Sequence, residues 1–169
     1  MKEILGLVSL VMVVIIICMK DIRKILIGEI AVNVVVAVSF LLQGGYAAAG
    51  MNAAAVIYVI VAFLYNRQDK KMPLWLLLAF GALFVAWGAV AYKDWRDLLP
   101  IACSVLFILA VMQKEAAKYR IYKVFNSILY VIYDIVILLY STVPTHAFLV
   151  VVGIAAIVRL DIMPNRKAK

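Results

Sequence analysis

Histidine occurs once in the 169 residues and cysteine only twice. A lone His146 has too few companions to build a metal-ligand set, so no metal site is expected. Cys18 and Cys103 both fall inside apolar stretches, where a thiol behaves as a small hydrophobe, and no disulfide framework is expected either. The chain shows no phosphate loop and no nucleophile beside a base at a recognisable spacing. An enzyme is therefore not expected, and no cofactor is implied. Polar surface is also scarce. With 68% hydrophobic residues, 15% charged residues and a mean hydropathy of +1.10, the chain has too little of it to cover a water-soluble globule. Lipid is the expected solvent, and the bilayer the first partner.

What is present is a succession of apolar stretches: Ile4 to Met19, Ile25 to Leu42, Ala47 to Tyr65, Pro73 to Tyr92, Leu98 to Met112, Tyr122 to Tyr140 and Thr145 to Leu160. A spanning helix takes about 20 mainly apolar residues, so seven spans use ~140 and leave short loops with no room for a soluble domain. Met1 to Met19 lacks a small-residue cleavage pattern and is followed by Lys20, Arg23 and Lys24, which reads as an uncleaved first helix.

The net charge of +8 could point to nucleic acid, but the basic residues separate apolar spans instead of lining an aqueous face, and no nucleic-acid partner is expected. They are better read as topology. Alternate loops place Lys20, Arg23, Lys24, Arg67, Lys70, Lys71, Lys114, Lys118, Arg120, Lys123, Arg159, Arg166, Lys167 and Lys169 on one side, and only Lys2, Lys93 and Arg96 on the other. Basic residues collect on the cytoplasmic side, so the amino terminus is expected outside and the carboxyl terminus inside. That requires an odd number of spans.

Shifting the chain by 93 positions, the distance from Asn33 to Asn126, exposes an internal repeat: Asn52 meets Thr145 beside His146, and Asn66 meets Arg159. The expected fold is all-α with seven transmembrane helices. Two parallel three-helix repeats, residues 1–71 and 98–169, are joined by a linker helix within 72–97. The extra span is what restores a common orientation to two odd-numbered units. Small residues serve close packing, in the third span Ala47, Ala48, Ala49, Gly50, Ala53, Ala54 and Ala55, and in the linker helix the face of Ala79, Ala82, Ala86 and Ala89. Trp75, Trp87, Trp95, Tyr46, Tyr92 and Tyr140 are expected near the interfaces.

Polar side chains inside hydrocarbon are costly and face a partner or a wet cavity, which makes each a candidate. In the sixth span Asn126, Tyr130, Tyr133 and Asp134 share one helical face. That stripe reads either as the lining of a solute path or as interhelical hydrogen bonds. In the second span Glu29 lies near enough to the basic loop to snorkel toward Lys24, while Asn33 is deeper. Asn52 and His146 sit near the outer ends of the third and seventh spans. Pro100 opens the fifth span, where proline is structurally cheap; a hinge is the alternative reading.

Three stretches carry a resemblance: SerPheLeuLeuGlnGlyGlyTyr (Ser39 to Tyr46), AspLeuLeuProIle (Asp97 to Ile101) and TyrValIleTyrAsp (Tyr130 to Asp134). They look like the bacterial inner-membrane YgjV family, over most of the chain. The resemblance implies an inner-membrane location and a fold more than an activity. More distantly, the three-one-three plan resembles the SWEET sugar transporters and PQ-loop proteins, in which an asparagine on the third and seventh helices lines the substrate pocket. By position Asn52 matches the first, while Thr145 or His146 stands where the second would be. The first span lacks the family's hinge proline, and Pro100 is followed by Ile rather than Gln. The expected function is a binder or facilitator of a small polar solute, with Asn33, Asn52, Asn126, Tyr130, Asp134 and His146 as its contacts in a pocket between the repeats. A non-transporting protein that engages a protein partner or anionic lipid is the alternative, and association into a homo-oligomer is left open.

Overall fold

The computed structural model describes residues 2–91, 94–138, 140 and 142–163. Tyr92, Lys93, Arg166, Lys167, Lys169 and the side chain of Ala47, all used in the sequence reading, lie outside the described residues. Those described form seven α-helices and no strand. They divide into two compact units, residues 1–72 and 73–169, each with its own packing.

In the first unit, α1 (Lys2–Cys18), α2 (Ile22–Leu41) and α3 (Tyr46–Arg67) follow one another with α2 in the middle, packed on both others. Asp21 starts α2 by accepting a hydrogen bond from the Arg23 backbone N–H at 2.9 Å, satisfying an amide that the first turn leaves orphaned. Gly44, at φ 76°, ends it: the Gly45 N–H reaches back to the Phe40 carbonyl at 2.9 Å, closing the carbonyls of the last turn. The same device ends α3, where Asp69 takes φ 55° and the Lys70 N–H donates to Tyr65 O at 3.0 Å. Gly28 carries α2 against α1. A Cβ there would stand 2.5 Å from Cγ1 of Ile16, so the contact is between backbone and side chain with no room for a methyl.

In the second unit, α4 (Leu74–Ala91) packs on α5 (Leu98–Val111), and α6 (Ala116–Val136) lies between α5 and α7 (Val143–Ile157). A short 3-10 turn, Trp95–Asp97, leads into α5, and a π-helical segment, Val158–Ile162, prolongs α7. Glycine again sets the close approaches, Gly88 of α4 against Ile101 and Gly153 of α7 against Val124, each with a would-be Cβ at 2.5 Å. The alanine face expected to pack in α4 is instead exposed: Ala79, Ala82, Ala86 and Ala89 point outward, and Phe84 is buried. Hydrogen is smaller than methyl, so the glycine face and not the alanine face admits the neighbouring helix.

Three segments, Ile22–Leu41, Ala48–Arg67 and Val143–Ile162, are long and apolar enough to cross a membrane, and Ile4–Cys18, Leu74–Val90 and Leu98–Val111 are shorter apolar helices. The remaining helix, α6, is patterned differently. Ile121, Phe125, Ile128, Ile132 and Ile135 are exposed along one stripe, while Arg120, Asn126, Ser127 and Asp134 are buried on the other face. Water would favour the reverse arrangement, with apolar residues inside. The polar-in, apolar-out pattern suits a helix whose outer solvent is hydrocarbon. In α2, Glu29 and Asn33 are likewise buried while Ile27, Val34 and Val38 are exposed. Glu29, at 1% exposure, does not snorkel to the surface as expected from its distance to the basic loop. Its position in the third turn of a helix packed on both sides keeps it inside.

Candidate functional site

Each unit carries buried polar groups on its middle helix, but the groups are used differently. In α2 the Asn33 Nδ2 donates to the Glu29 carbonyl at 2.8 Å and approaches Glu29 Oε2 at 3.4 Å. In α3 the Asn52 Nδ2 donates to the Ala48 carbonyl at 2.8 Å. Both amides satisfy themselves on their own helix, one turn back. Asn126, which the 93-position shift pairs with Asn33, instead crosses to the neighbouring helix, its Nδ2 donating to the Cys103 carbonyl of α5 at 2.6 Å. An amide in that position fixes α5 against α6.

Along α6 the spacing of seven residues from Arg120 to Ser127 to Asp134 keeps all three on one face, two turns apart. All three are buried. At the start of α6, Arg120 Nη1 lies 2.6 Å from Asp161 Oδ1 in the π-helical end of α7, with the Arg120 side chain 1% exposed. Toward the other end, His146 Nδ1 lies 2.6 Å from Asp134 Oδ2. The two atoms are within hydrogen-bonding distance, and the imidazole tautomer sets which of them donates. The separations match, 14 residues along α6 and 15 along α7, or roughly 21 Å of helix. The antiparallel α6–α7 pair is thus fastened near both ends, by a guanidinium at one and an imidazole at the other.

The imidazole end is the more elaborate. The Tyr130 ring stacks on His146 with centroids 5.0 Å apart and planes 20° from parallel. Asp134 lies within electrostatic reach of both the Cys103 thiol and Tyr130, so α5, α6 and α7 all contribute. His146 remains 25% exposed while Asp134 is at 4%. The cluster is therefore a buried carboxylate reached through a partly accessible ring. Among the described residues His146 is the hydrogen-bond partner of that carboxylate.

Of the residues singled out from sequence, the structure brings Tyr130, Asp134 and His146 together and links Asn126 to the same unit through Cys103. Asn33 and Asn52 lie in the first unit. Pro100 occupies the first turn of α5, where its carbonyl accepts from Ser104 Oγ at 3.0 Å. Sequence reading missed Arg120, Ser127 and Asp161. The local sequence places Arg120 in a basic loop, and the signal for its helical position is the seven-residue spacing to Ser127 and Asp134. Among the described residues no group of three metal-ligating side chains converges.

A family model for bacterial inner membrane proteins, Imp-YgjV, matches residues 1–163. No curated protein and no solved structure matches. The chain belongs to the Imp-YgjV family of bacterial inner membrane proteins, and its apolar helices accord with that location.

Proposed function

We propose that this inner-membrane protein binds a small polar solute at the cluster formed by Tyr130, Asp134 and His146, as a binder or facilitator and not as an enzyme. In this reading all seven helices cross the bilayer in a three-one-three plan of SWEET-like kind, amino terminus outside and carboxyl terminus in the cytoplasm. The observation that carries it is the cluster itself. An ionisable pair inside a membrane helix bundle costs several kcal/mol unless it is paired or used, and such residues mark solute or ion paths. Each pair has one buried and one partly exposed member; the Arg120–Asp161 pair is matched in charge, which suits fastening, while the Asp134–His146 pair is stacked on a phenol, which suits recognition.

The three asparagines weigh the other way. Asn33, Asn52 and Asn126 all spend an amide N–H on a backbone carbonyl, which supports a structural role for them. That observation supports the alternative reading, a non-transporting protein that engages anionic lipid or a protein partner.

A thermal-unfolding screen of the detergent-purified protein against sugars, amino acids, amines and nucleosides tests the reading. A ligand at 100 times its dissociation constant stabilises the native state by about 2.7 kcal/mol. The expected result is a class of solute that raises the transition temperature of the wild type and leaves Asp134→Asn unchanged. A protein that unfolds cooperatively with no shift from any solute would remove the solute reading and leave the partner or lipid one.

A further inference from the structure

The two fastenings of the α6–α7 pair differ in one chemical respect. Arg120 is charged at every physiological pH, so its pairing with Asp161 is permanent. His146 is charged only when protonated. With a neutral imidazole, the hydrogen bond to Asp134 brings no counter-charge with it. Among the described residues, the other titratable groups around it do not supply one: Cys103 of α5 and Tyr130 and Tyr133 of α6 are a thiol and two phenols, and none becomes a cation.

The imidazole also shows what the position accepts. It is a small, flat nitrogen base whose Nδ1 meets a carboxylate at 2.6 Å and whose face lies on a tyrosine ring at 5.0 Å. A carboxylate for the charge and an aromatic face for the ring or methyl groups are the two elements that recognise organic cations. His146 occupies that position from the first turn of α7, partly exposed, so it can be displaced without opening the core.

We propose that Tyr130 and Asp134 form a binding site for a small protonated nitrogen base, of guanidinium, imidazolium or ammonium type, which competes with the His146 side chain. The proposal rests on the solute reading above and narrows its substrate class to organic cations. Protonation of His146 strengthens its hold on Asp134 and so opposes the ligand. Ligand binding and protonation of His146 are mutually exclusive, which makes the site an exchanger of a cation for a proton at the level of binding.

The test uses methylguanidinium, which keeps its charge throughout, with the purified full-length protein at pH 5.5 and pH 8. Stabilisation is expected at pH 8 and weaker binding at pH 5.5, because a protonated imidazole holds the carboxylate that the ligand must take. His146→Ala is expected to bind more tightly and to lose the pH dependence; Asp134→Asn is expected to lose binding. Should Asp134→Asn fail to fold, Tyr130→Leu serves, with affinity reduced several-fold. Equal binding by wild type and Asp134→Asn, or tighter binding at the lower pH, overturns the proposal. Stabilisation by neutral polar solutes without any by methylguanidinium overturns it while leaving the broader solute reading intact; no stabilisation by either overturns both.

Discussion

Arg120→Ala is expected to destabilise the second unit by about 3–5 kcal/mol, the range found when one partner of a buried ion pair is removed. The Arg120 side chain is 1% exposed and meets Asp161 Oδ1 at 2.6 Å, so truncation leaves a carboxylate in a mostly closed place and a cavity where the guanidinium stem lay. The same physics makes a second expectation sharper. Replacing both partners with apolar residues of similar volume, Arg120→Met with Asp161→Leu, removes both charges along with their attraction and is expected to recover most of the loss. Reversible unfolding in mixed micelles measures both. A cost below about 1 kcal/mol for Arg120→Ala would mean that the pair is surface-like and does not fasten the helices.

The second large effect concerns the outer face of α6. Ile128 is exposed, near the middle of the helix, and the neighbouring Ser127 is buried. If hydrocarbon surrounds that face, Ile128→Lys costs about 2.5–3.5 kcal/mol, the insertion penalty for a charged residue at the helix centre. An exposed position in water would tolerate the same change within about 0.5 kcal/mol. The comparison is strong because the two solvents predict different magnitudes at one residue. Measured in bilayer vesicles, a near-neutral Ile128→Lys would argue that α6 does not face lipid.

The order and number of the helices could be read from sequence because apolar stretches of spanning length alternate with charged loops, and hydrophobicity is a local property. The ends were less legible. The run Lys114, Lys118, Arg120, Lys123 looks like a loop, yet α6 begins at Ala116 and takes in three of these four residues. Arg120 is helical and buried, and Asp161, 41 residues later, is there to meet it. Nothing in the local pattern announces such a partner. Glu29 gives the same lesson: distance to a basic loop suggested solvent, and packing on both sides of α2 excluded it.

The site was legible as a set of residues and not as a geometry. Tyr130 and Asp134 share a helical face by arithmetic, and His146 stands out as the lone histidine. That Asp134 meets His146 depends on the turn between α6 and α7 and on the register it sets. Asn33 and Asn126 show the limit of the repeat. They coincide under a 93-residue shift, yet one amide bonds its own helix and the other bonds a neighbour. Repetition carries over the position of a polar group, while its partner is chosen by whatever backbone the packing brings near.

The account as a whole stands on α6 having a polar interior face and a lipid-facing apolar stripe. Single nitroxide labels at Phe125, Ile128, Ile132 and Ser127, in a background with Cys18 and Cys103 replaced, measure this residue by residue in vesicles. Oxygen, which concentrates in lipid, is expected to reach Phe125, Ile128 and Ile132 far better than a water-soluble nickel chelate does, with Ser127 shielded from both. Chelate access exceeding oxygen access at Ile128 and Ile132 would place that stripe in water and contradict the account.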